Sequence, residues 1–101
     1  MNALKHVDSH MDNLISDLQR LIQQPSVSAK NEGIEECAKL VKLLLTSAGL
    51  KSEILRLKKG VAPIVFAEIK SKSNPDKTLM FYNHYDAVSY THLTLPTILL
   101  V

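Results

Sequence analysis

The residues with the most chemistry in them are His84 and Asp86, an imidazole and a carboxylate two positions apart in the run Asn83, His84, Tyr85, Asp86. A neutral imidazole is a good zinc ligand, and a carboxylate within reach accepts its other ring proton, fixing the tautomer and raising ligand basicity. Alone, a His-x-Asp triplet is a weak signal, because such triplets arise often by chance and a strand-end histidine is usually a polar surface residue. Two other groups invite the same question. His6 and His10 stand four apart and share one helical face, but the glutamate that would follow the first histidine of a helical zinc-protease motif is Val7 here, so they read as a solvated helix end. Cys37 falls on the apolar side of a helical pattern, where a thiol packs as a small hydrophobe rather than serving as a nucleophile.

What positions His84 and Asp86 is read from the periodicity upstream. From Val7, residues Met11, Leu14, Ile15, Leu18, Leu21 and Ile22 recur at helical spacing and predict a first helix with one face directed at a core. Pro25 disfavours helical geometry at Gln24, so that helix should stop there, followed by a loop at Pro25, Ser26, Val27, Ser28. Ile34, Cys37, Ala38, Val41, Leu44, Leu45 and Ala48 predict a second helix, with Gly49 as its left-handed stop. The period then changes. Ser52 to Leu57 alternates and reads as an edge strand, Ile64 to Ile69 as an interior strand opened by Pro63, and Thr78 to Tyr82 as a third strand buried on both faces. The expected fold class is α/β, two N-terminal helices followed by three strands. It places His84 and Asp86 just past the carboxyl end of the third strand, where ligand sites of open α/β sheets gather.

In this order of elements, the Pro25-Ser26-Val27-Ser28 loop and the strand ending Phe81, Tyr82, Asn83, His84, Tyr85, Asp86 resemble one family. It is the zinc exopeptidase and deacylase family of carnosinase, carboxypeptidase G, acetylornithine deacetylase and succinyl-diaminopimelate desuccinylase. The resemblance runs from about Asp12 to Asp86, and Tyr85 is most similar to the dipeptidase branch. It implies that His84 binds one of two zinc ions, that Asp86 orients it as part of the catalytic apparatus, and that a dipeptide or N-acylated amino acid is the substrate of a parent enzyme that is a candidate homodimer. It also implies further ligands later in the chain: a bridging carboxylate, a Glu-Glu pair holding the general base, another acid and a distal histidine. This chain has no Asp or Glu after Asp86, so it is expected to be an inactive fragment of such a hydrolase. One histidine cannot hold zinc well where a catalytic site typically uses three protein ligands.

Composition narrows the alternatives. Of the 101 residues, 46% are hydrophobic and 22% charged, which suits one soluble globular domain. A net charge of +2 is too weak to imply nucleic acid or an anionic membrane, and the lysines at 58, 59, 70, 72 and 77 fall in or beside turns without interleaved aromatics. No apolar run reaches the roughly 18 to 20 residues that span a bilayer, and the start lacks a leader pattern, so a cytoplasmic protein is expected. From Ala87 to Val101 charge vanishes, and Ser89 to Thr97 resembles the translation of a sequencing adapter. Residues 1–86 are therefore expected to be the N-terminal part of a metallopeptidase catalytic domain and 87–101 a non-native tail. The competing expectation is a small non-enzymatic α/β interaction module complete at Val101, in which His84 and Asp86 merely end a strand.

Overall fold

A computed structural model describes residues 2–87. The chain begins with α1 (Ala3–Ser9), whose first amides are capped by the Asn2 side chain, its oxygen accepting from Leu4 N at 2.8 Å and Lys5 N at 3.4 Å. α2 follows at Met11–Gln23. The periodicity predicted one helix here, and the structure breaks it at His10. His10 N still donates to His6 O at 3.1 Å but also reaches Val7 O at 3.2 Å, a tightened last turn, and His10 itself leaves helical geometry at φ −116°, ψ 16°. α2 ends as Pro25 requires, with Gln24 already extended at φ −74°, ψ 120°.

Between α2 and α3 (Ile34–Ser47) the chain makes a tight loop. Val27 and Glu32 exchange backbone hydrogen bonds of 2.8 and 3.0 Å around a single 3-10 turn at Ser28–Lys30. Asn31 and Gly33 take left-handed backbone conformations, at φ 50° and 71°. Gly33 has no alternative, because a Cβ on it would stand 2.0 Å from the carbonyl oxygen of Pro25. At its other end α3 closes with a Schellman motif: Gly49 at φ 97° donates to Thr46 O and Leu50 N to Leu45 O.

Two strands complete the ordered elements, β1 (Lys51–Leu55) and β2 (Ile64–Glu68), paired antiparallel with Lys51 opposite Glu68 and Leu55 opposite Ile64. α3 packs across both. The architecture among the described residues is thus three helices and a two-stranded antiparallel sheet, a mixed α/β arrangement. The third strand expected at Thr78 to Tyr82 forms no ladder among the described residues, where Leu79 to Tyr82 are exposed rather than buried on both faces. A strand exists only against a neighbour, and β1 and β2 are paired with each other. For the same reason β2, expected in the interior, is paired along one edge only among the described residues, and Ile64 and Phe66 on its outer face stay half-exposed.

The core sits under the first half of α3. Val27, Ile34, Cys37 and Ala38 are its buried apolar residues, joined by Pro63 and Ser26. Cys37, 2% exposed, packs there as its apolar setting suggested. The apolar stripe of α2, by contrast, is left open: Met11, Leu14, Ile15, Leu18 and Ile22 all remain exposed, since α2 meets α3 only sparsely. No helix among the described residues is long and apolar enough to cross a membrane. The expected tail at 87–101 lies outside the described residues except for Ala87.

Candidate functional site

The segment carrying His84 and Asp86 is held to the rest of the fold at four points, two of them on the loop before α3. Ala87 N donates to Ser26 O at 2.6 Å. Ser28 Oγ donates to Asp86 Oδ2 at 2.7 Å across 58 positions of sequence. The buried Cys37 Sγ approaches Tyr85 O at 3.9 Å, and the Tyr85 hydroxyl donates to the carbonyl of Pro63, at the entry to β2. The two stretches that carry the resemblance, Pro25 to Ser28 and His84 to Asp86, are therefore one place in the folded chain.

At that place His84 Nδ1 lies 2.9 Å from Asp86 Oδ1 and 3.2 Å from the Asp86 backbone oxygen. The hydrogen bond from Ser28, and next the one from His84, hold the Asp86 carboxyl below the usual carboxylate range, so it is ionised at neutral pH and can only accept. In a neutral ring, the proton facing that acceptor is on Nδ1, and the Nε2 lone pair is free. The His84 side chain is 80% exposed and that of Asp86 42%, so the free nitrogen is accessible while the orienting carboxylate is partly sheltered. Tyr85 points the other way: burial first, then the neighbouring Cys37, Glu35 and Asp86, pushes its hydroxyl above the ordinary phenol value, and it stays a neutral donor to Pro63.

Beside this junction Arg56, just past β1, grips Glu35 in the first turn of α3 with two hydrogen bonds of 2.6 and 2.7 Å. The fork lowers the Glu35 pKa and raises that of Arg56. Glu35 is not directed at His84 by any contact and serves to tie α3 to the strand.

His6 and His10 do meet, their rings stacked with centroids 4.1 Å apart and planes 19° from parallel. Among the described residues no group of three or more His, Cys, Asp or Glu is gathered closely enough to hold a metal ion. His84 suits zinc as a single ligand, with its tautomer set and its outer nitrogen open, but the rest of a coordination shell is not among these residues. A shallow depression at the end of α2, lined by Arg20, Gln23, Gln24, Pro25 and Leu40, includes no residue of the His84–Asp86 triplet.

Ser28 is the participant that sequence reasoning missed. Its loop carries part of the resemblance, yet nothing local marks its hydroxyl as a partner of a carboxylate so far along the chain. Compared with family models, curated proteins and solved structures, the chain matches none.

Proposed function

We propose that this chain is the N-terminal part of a di-zinc metallohydrolase that cleaves dipeptides or N-acylated amino acids, with His84 as a zinc ligand through Nε2 and Asp86 as the residue that orients it. The observation that supports this reading is the shared carboxylate: Asp86 accepts from Ser28 with one oxygen and from His84 Nδ1 with the other, which aims an unprotonated nitrogen outward. That is the outer-sphere arrangement by which proteins prepare a histidine for a metal. Bound zinc would polarise the scissile carbonyl and lower the pKa of a bound water. Within this chain, His84 would supply one bond to the metal, Asp86 would keep its proton on Nδ1, and Ser26 and Pro63 would fix the segment through their carbonyls. The remaining ligands and the general base would belong to the parent enzyme beyond Asp86, and the 101-residue chain would be inactive.

The decisive first experiment is to sequence the source locus past the codon for Asp86. A long open frame with further Asp, Glu and His ligands supports the hydrolase, whereas a stop codon there supports a non-enzymatic module. In the parent, His84→Ala should remove most activity and zinc from one site. Asp86→Ala should cost about 10- to 100-fold in metal affinity or turnover, the range for orienting partners. A parent His84→Ala enzyme that kept two zinc ions and full turnover on a dipeptide series would refute the assignment.

A further inference from the structure

We propose that Ser28 is a positioning residue for His84, acting through Asp86 to keep the ring proton on Nδ1. The inference rests on the reading of His84 as a metal ligand, and adds to it a residue 58 positions from Asp86 in the sequence. Three features make Ser28 suited to the task. Its hydroxyl donates to Asp86 Oδ2 at 2.7 Å, on the carboxylate oxygen that His84 does not use. Its backbone is fixed independently of that contact: Val27 before it is buried and closed onto Glu32, and Ser28 O accepts from Asn31 N at 3.1 Å. The carboxylate is brought to it by a separate bond, Ala87 N to Ser26 O, so the two partners are placed by backbone and meet through side chains.

The chemistry follows from the rotational freedom of a carboxylate. Held only by His84, the Asp86 side chain could turn about its terminal torsion, which is broad and roughly two-fold, and present either oxygen to the ring or to water. Ser28 removes that freedom by occupying Oδ2. It also draws charge-assisted hydrogen bonding to the ionised form, keeping Asp86 an acceptor toward Nδ1. Without the hydroxyl, His84 Nδ1 retains the weaker contact to the Asp86 backbone oxygen at 3.2 Å. The Nδ1-protonated tautomer should then lose population to the Nε2-protonated one, whose outer nitrogen carries a hydrogen and cannot bind a metal.

The test reads the tautomer directly and needs no metal. Nitrogen-15 NMR of the His84 ring in the 101-residue chain, at about pH 8.5 and so well above the ordinary imidazole pKa, should show mainly the Nδ1-protonated form. Ser28→Ala should raise the Nε2-protonated fraction several-fold, and Ser28→Thr, which keeps the hydroxyl, should restore the original balance. The Val27 and Glu32 amide signals report whether the loop itself persists. An unchanged tautomer in Ser28→Ala with those signals in place would overturn the proposal, as would a shift that Ser28→Thr fails to reverse. In the parent enzyme Ser28→Ala should lower zinc affinity and kcat by about 10-fold with little change in KM. A parent that binds no zinc while the tautomer still responds to Ser28 would defeat the metallohydrolase reading and leave the positioning role intact.

Discussion

The two sides of α3 are held to different standards. On one side, the loop from Pro25 to Gly33 and the segment from His84 to Ala87 are joined by backbone and side-chain hydrogen bonds around the buried Ser26, Val27, Ile34, Cys37 and Ala38. On the other, α1 and α2 have no buried residue, and a stripe of apolar side chains faces outward. Amphipathic periodicity is therefore not by itself a measure of burial. α2 has as clear an apolar face as α3, but only the face that meets a loop and a sheet becomes a core. Burial among the described residues is concentrated beside the candidate site.

Glycine offers the sharpest way to break that contrast. Gly33→Ala should be the most damaging single change, since its Cβ would collide with the Pro25 carbonyl in a left-handed conformation. Left-handed strain and overpacking together suggest a loss of roughly 3 to 5 kcal/mol in denaturant unfolding. Gly60→Ala has the same sign of φ at 86° but open space around it, and should cost only about 1 to 2 kcal/mol. Equal losses at the two positions would mean that the loop is no more constrained than an ordinary turn.

Truncating isoleucines compares the two packing environments. Ile34→Ala, at 3% exposure, should cost about 2 to 4 kcal/mol, whereas Ile15→Ala in α2, at 46%, should cost under about 1 kcal/mol. If Ile15→Ala proved the costlier, α2 would have to be packed in solution against something more than α3.

The ion pair gives a pH signature. The folded-state pKa of Glu35 is depressed by Arg56, so the pair contributes stability above the unfolded-state carboxylate range, about 4.3. That contribution is lost as pH falls through the lowered folded value. Acid titration of the unfolding midpoint should therefore show a decline below about pH 4.3 that Glu35→Gln flattens, while near neutrality the exposed pair contributes little. A wild-type profile identical to that of Glu35→Gln would show that the fork is not maintained in solution.

The smallest effect on stability, and the largest on solubility, is expected at Phe81. This side chain is 79% exposed within the apolar run Leu79 to Tyr82, so Phe81→Lys should change the unfolding free energy by no more than about 0.5 kcal/mol. It should also increase the monomer fraction by gel filtration, because an exposed apolar extended segment with open backbone groups favours β-association. A wild-type chain already monomeric at high concentration would contradict the second expectation.

Local signals account for what the sequence disclosed. Pro25 and Gly49 mark the ends of α2 and α3 because each acts on local torsions, and the i, i+3, i+4 spacing from Ile34 follows a helix whose face is buried at Ile34, Cys37 and Ala38 and half-buried at Val41, Leu44 and Leu45. His84 and Asp86 were legible because their pairing spans two residues. Ser28 was not, since its partner lies 58 positions away and serine is common in loops. The break at His10 is a matter of one residue's torsions, with its amide shared between His6 O and Val7 O, and no periodicity encodes it. Among the described residues Thr78 to Tyr82 has strand composition without a strand, because composition states a preference and pairing needs a partner.

The distance in sequence between Ser28 and Asp86 has a consequence for biosynthesis. At about 5 to 20 residues per second, the ribosome adds Asp86 roughly 3 to 12 seconds after Ser28. Helix–coil exchange takes about a microsecond or less, but helices as short as α1 to α3 are marginal alone, so their lasting order waits on the packing that the later segments bring. Throughout that interval the loop that will receive Asp86 is without its partner, and the junction can close only after Asp86 and Ala87 have been made.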